Sequence, residues 1–158
     1  MSYKISRLAI AGVVVSIIGL GATVTAVAHA ESTGNADADK RIGKMKELGG
    51  SMKALAAVAK GEAAYTPALN AKAMKVKEIA NEMASLFPAG SGVAKSRSKS
   101  EIWTKPAEFA AAITALKNAA DGLVVATATG EQGNIGKALG ATGKTCGGCH
   151  KPFRVPKD

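Results

Sequence analysis

The chain has 158 residues, two cysteines and a formal net charge of +9, with 47% hydrophobic and only 4% aromatic residues. That length bounds it to one ordinary domain plus a targeting segment. Dispersed lysines and few aromatics exclude a nucleic-acid surface.

The N-terminus MSYKISR carries Lys4 and Arg7, and Leu8 to Ala30 then holds no formally charged residue before Glu31. A basic start, an apolar stretch and the small residues of Ala28-His29-Ala30 predict a signal peptide over residues 1–30, cleaved before Glu31. An uncleaved anchor is the alternative, since about 20 residues span a bilayer. The polar, small-residue half GATVTAVAHA disfavours it. The remaining domain, 31–158, keeps 19 basic and 12 acidic residues, a net of +7. That charge suits an acidic redox partner or transient contact with an anionic membrane surface. Export implies a periplasmic setting.

Beyond Ala36 the chain is rich in Ala, Lys, Leu and Met, which favours helices over strands. The first helix is predicted from about Asp37 to Lys60, with Met45, Leu48, Met52, Leu55 and Ala59 on one stripe. The second runs from about Pro67 to Phe87, with Leu69, Ala73, Val76, Ala80, Met83 and Phe87 inward. Pro88 to Lys105 reads as an exposed crossover, rich in Gly, Ser and Lys. The third helix begins after Thr104 with Pro106 in its first turn, and its seam is Phe109, Ile113, Leu116, Ala120 and Leu123. The fourth runs from about Glu131 to Phe153 despite Gly136, Gly140, Gly143, Gly147 and Gly148, each about 1 kcal/mol worse than alanine in a helix. Short connections at 61–66 and 130–133 predict an all-α, antiparallel, up-down-up-down four-helix bundle.

The fourth seam, Ile135, Leu139, Thr142, Cys146, Cys149 and Phe153, contains both cysteines of the chain. Cys146-Gly147-Gly148-Cys149-His150 is C-x-x-C-H, the pattern in which two thiols add to the vinyl groups of one haem and the imidazole binds its iron. Zinc would need further ligands, and the other histidine, His29, lies in the predicted signal peptide. A thioredoxin-like dithiol belongs early in a βαβ pattern, not near the end of an Ala-rich helical chain. A plain disulfide leaves the histidine unexplained. One covalently attached haem c is therefore expected inside the bundle near the C-terminus, with export consistent with thiols consumed as thioethers.

Antiparallel order puts His150 in one layer with Met45 and Leu48, Met83 and Phe87, and Trp103, Phe109 and Ile113. A second axial histidine is excluded. Met45 is the leading candidate, Met83 its rival, and Met52 lies roughly 10 Å further along the first helix. Plain packing accounts for methionines in such positions equally well.

These residues resemble the class II c-type cytochromes, from about Lys40 to Lys157. The likeness rests on GKTCGGCHKPFR, on RIGKMK followed by SMKALAAVAKGEAAY, on LFP before the crossover, and on EIW with a following Pro and Phe after it. It is nearest the low-spin, methionine-ligated branch. The resemblance implies Met45 at the distal position, Arg41 near the haem propionates and Arg154 beside the proximal His150. It also implies pairing of some members as homodimers through the outer faces of the first two helices. The basic crossover GVAKSRSKS departs from the family pattern. The expected function is an exported monohaem one-electron carrier with His/Met ligation, not an enzyme. The alternative is a five-coordinate protein that binds nitric oxide or carbon monoxide.

Overall fold

The computed structural model describes residues 32–156, so the predicted signal peptide lies outside the described residues. Four long helices form the bundle: α1 (Ala36–Ala59), α2 (Ala68–Glu82), α4 (Pro106–Thr129) and α5 (Gln132–Phe153). A short α3 (Glu101–Thr104) precedes α4, and 3-10 turns occupy Met83–Leu86 and Ala94–Ser96.

Helix boundaries follow local chemistry. Asn35 caps α1, its side-chain oxygen accepting the Ala38 N–H at 2.9 Å, with Asp37 and Asp39 favourably placed in the first turn. Pro106 sits at the start of α4, where its missing N–H is not needed. Gly130 ends α4 at φ 74°, a left-handed conformation natural to glycine, and a Cβ there would come within 2.9 Å of the Tyr65 ring.

Neighbours run α1, α2, α4, α5 around the bundle, and α5 closes the ring against α1. Cross-links establish that adjacent helices are antiparallel. Lys44, early in α1, reaches Glu82 at the end of α2 at 3.0 Å. Asn70 donates to the Val124 carbonyl at 3.1 Å, one turn from the far end of α4. Gln132, opening α5, donates to the Val58 carbonyl at 3.1 Å.

The predicted seams are the core. Leu55, Ala73, Val76, Ala80, Ala120, Leu123 and Ile135 are all 0% exposed. Of the α5 seam, Ile135, Thr142 and Phe153 are buried, whereas Leu139, Cys146 and Cys149 are half-buried. At the end holding the two short connections, polar groups close the bundle. Tyr65 donates to the Thr127 carbonyl at 2.9 Å, and the Asn70 amide donates to the Thr127 hydroxyl at 2.9 Å.

The crossover differs from expectation. It is ordered and partly internal, with Ser91 1% and Ile102 4% exposed. Its second half pairs with the end of α5: the Lys99 N–H donates to the Phe153 carbonyl at 3.0 Å, and the Val155 N–H to the Arg97 carbonyl at 2.8 Å. Trp103, expected in the haem layer, instead anchors the crossover, donating from its indole N–H to the Phe87 carbonyl at 3.1 Å and lying over Gly92.

Leu123→Ala, which opens a void where the core is fully buried, is expected to lower stability by about 2–5 kcal/mol. Urea unfolding of the holoprotein measures it, and a loss below about 1 kcal/mol would contradict the packing described.

Candidate haem site

At the end of the bundle opposite the Tyr65 network, the helices line an apolar, partly open cavity of about 560 Å³. Met45, Leu48 and Met52 of α1 line it together with Cys146, Cys149 and His150 of α5, and with Met83, Phe87, Phe109 and Phe153. Phe109 stacks edge-on against both Phe87, at 4.9 Å between centroids, and Phe153, at 5.1 Å. All six residues selected from sequence, Arg41, Met45, Cys146, Cys149, His150 and Arg154, line this one cavity. Met52, nearly two turns further along α1 than Met45, lines it as well.

The cysteines are free and half-buried. Burial pushes both thiols above their ordinary value, and for Cys149 the neighbouring Cys146 adds to the effect. A thioether, which carries no charge, suits that burial. No cluster of three or more His, Cys, Asp or Glu exists among the described residues. His150 is held below its usual value by burial and then by Arg154 and Arg97, which keeps the imidazole in its neutral, metal-binding form. Covalent haem fits this set: two thiols on one helical face, an adjoining neutral imidazole, and apolar walls around them.

Arg41 is 3% exposed, yet its hydrogen-bond partners are neutral. One terminal nitrogen donates to the Leu86 carbonyl at 2.9 Å and the Ser91 hydroxyl at 3.0 Å, and the other to the Ser91 carbonyl at 2.9 Å. The guanidinium also lies 4.6 Å over the Phe87 ring. Burial lowers its pKa, and Asp37 offsets this only as a longer-range charge. A buried cation on a cavity wall is most stable beside an anion, which suits the acidic edge of a haem.

Arg154 closes the last turn of α5, its N–H donating to the His150 carbonyl at 3.1 Å. Burial and Arg97 lower its pKa. The sequence reading missed the role of the crossover here: Lys95, Ser96, Arg97 and Ser98 line the cavity. The Ser98–Arg154 bridge that brings them in joins residues far apart in the chain. No local pattern announces it.

A family model described as Cytochrome C' matches residues 36–154. The chain is 44% identical over 115 residues to cytochrome c' of Pararhodospirillum photometricum, covering 70% of this chain and 89% of that protein. It is 32% identical over 122 residues to cytochrome c-556 of Agrobacterium tumefaciens, covering 77% and 98%. The fold also matches a nitric oxide complex of a variant cytochrome c prime from Alcaligenes xylosoxidans, with a TM-score of 0.70, 25% identity, and coverage of 77% of this chain and 95% of that one. Fold and site define a c-type cytochrome built as a four-helix bundle. The chain belongs to the cytochrome c' family and binds covalent haem c.

Two outcomes test the site. Replacing both cysteines by serine should allow acid-acetone to extract the haem, which the parent protein retains. Arg41→Ala leaves the Leu86 and Ser91 carbonyls without their donor and should lower stability by about 2–4 kcal/mol. Amide exchange of residues 91–99 should quicken as the crossover loosens, and unchanged exchange there would refute the clamp.

Proposed function

We propose that the protein is an exported one-electron carrier in which His150 and Met45 take the two axial positions of the haem iron. The observation that carries this reading is that Met45 on α1 and His150 on the neighbouring α5 line the same apolar cavity. When bound, the haem supplies a one-electron couple whose potential the axial ligands and burial set.

The chain's own residues do the rest. Cys146 and Cys149 tether the group to α5. His150 presents a neutral imidazole from the same helical face. Met45 presents a thioether, a ligand that favours the ferrous state, and the phenylalanines keep water away. Arg41 offers its buried charge to the propionate edge, and Arg154 flanks the histidine. A His150/Met45 pair would suit either oxidation state, so electron exchange would ask for little rearrangement of the chain. No substrate is turned over, because His150 is committed as a ligand and the cavity lining holds no carboxylate. Export to the periplasm rests on the Lys4/Arg7 start and the Ala-His-Ala site before Glu31.

A second reading, binding of small gases at five-coordinate iron, is favoured by the nitric oxide complex of the Alcaligenes relative. The apolar wall of Met45, Leu48 and Met52 suits a small neutral ligand.

The visible spectrum of the purified holoprotein separates the two. The carrier reading expects a low-spin spectrum in both oxidation states. Met45→Ala should convert it to high-spin, lower the reduction potential and open the iron to carbon monoxide. A wild-type protein that is high-spin in both states, or a Met45→Ala protein that stays low-spin, removes His/Met ligation.

A further inference from the structure

Charge is distributed unevenly around the bundle. On the α2/α4 edge Lys77 is paired to Asp121 at 2.9 Å, and on the side of α2 that faces α1, Glu78 is paired to Lys75 and lies 4.0 Å from Lys44. On the α1/α2 edge Lys44 reaches Glu82. The cavity rim differs: its charged lining residues, among them Lys46, Lys95, Arg97 and Arg154, include no carboxylate. Residues 83–100 and 132–157 contain no Asp or Glu, and the Ser98–Arg154 bridge brings these two stretches together at that rim. On the Lys95 side of the rim Asp39 adds a carboxylate, held in the N-terminal turn by Ser32 at 2.6 Å and the Thr33 N–H at 2.8 Å, so the excess of positive charge rests on Lys46, Arg97, Arg154 and the lysines of α1 and α5.

Two lines of lysine continue outward from the rim. Lys46 and Lys53 stand two turns apart on α1, and exposed Lys137, Lys144 and Lys151 repeat at the same interval on α5. Between the lines lie Gly49 on α1 and Gly140, Gly143 and Gly147 on α5, where an added Cβ would meet nothing within 4 Å. Packing within the chain therefore does not demand these glycines, although each weakens its helix by about 1 kcal/mol. Bare backbone at these positions lets another surface approach the haem cavity closely.

We propose that this α1/α5 face is the docking surface for an acidic protein that exchanges electrons with the haem, a proposal that rests on the carrier reading. One electron passes from the reduced protein to the oxidised partner, and no bond or proton moves. A protein fits the face better than a bilayer does. Membrane-binding faces set large apolar side chains beside their lysines. Here glycines fill that place along both helices; of the exposed large apolar side chains among the described residues, Met74 and Val125 sit on α2 and α4, and only Val155 stands beside the rim, next to Arg97.

The test follows electron transfer by stopped flow, from the ferrous holoprotein to an acidic blue copper protein, across a range of ionic strength. Combined Lys46→Glu and Lys144→Glu should slow the low-salt second-order rate about tenfold or more, with the difference vanishing at high salt. Combined Lys72→Glu and Lys117→Glu makes the same change in net charge on the α2/α4 side and should alter the rate less than about twofold. Equal slowing by both pairs would reduce the effect to net charge and overturn the proposal. So would wild-type binding to phosphatidylglycerol vesicles that Lys46→Glu and Lys144→Glu abolish while leaving the acceptor rate intact. Amide shift mapping on the oxidised holoprotein keeps the two ideas apart. Shifts confined to the α1/α5 face with negligible electron flow would sink the carrier reading and leave the docking face standing, and rapid flow with shifts elsewhere would do the reverse.

Discussion

Everything at one end of this bundle depends on filling an apolar cavity that the side chains around it do not fill by touching one another. A haem seated there takes the apolar side chains of Met45, Leu48, Phe109 and Ile113 out of water, so its binding contributes to the stability of the fold. The haem is therefore core as much as cofactor. Tethering it through Cys146 and Cys149 suits that role, because a thioether leaves no charge in a place where burial already penalises thiolate.

The two ends of the molecule meet the demands of burial by different means. Around Tyr65, Asn70 and Thr127, hydroxyl and amide groups satisfy one another and fix the register of α2 against α4. At the haem end one charged side chain performs the corresponding task. Arg41 ties the first turns of α1 to the Leu86 and Ser91 carbonyls, so the start of α1, the end of α2 and the crossover move as a unit. Ser91 relays the contact by donating its hydroxyl proton to the Pro88 carbonyl at 2.8 Å. The resulting frame sets the width of the cavity between α1 and α5.

What the sequence made legible is what has a period or a fixed motif. Helical spacing gave the four seams to within a residue or two at most boundaries, because burial of one face is repeated along each helix. The pentapeptide Cys146 to His150 needed no folding argument. The crossover was opaque for the opposite reason. Arg41 bonds mainly to backbone carbonyls, which every residue possesses, and Arg97 meets Val155 through main-chain and guanidinium contacts across 58 positions. Glycine, serine and lysine in that stretch read as solvent-exposed because their own preferences are local, whereas the order observed there comes from contacts made elsewhere in the chain. The end of α2 was misread more mildly: Met83–Leu86 tightens into a 3-10 turn and delivers Leu86's carbonyl to Arg41.

Three methionines line the cavity, and the frame around Arg41 bears on which of them suits iron. A thioether is a weak ligand, so its bond survives only where the backbone already holds the sulfur close, with little entropy left to lose. Met83 is 4% exposed and packed within the core cluster, where leaving would open a void. Met52 stands nearly two turns further from the Arg41 clamp along α1. Met45 is one turn from Arg41, on the same helical face, half-buried and with the cavity before it. The contacts that immobilise the crossover thus also stiffen the turn that carries Met45. In this reading Arg41 influences the iron through that turn as well as through any charge it offers the haem edge.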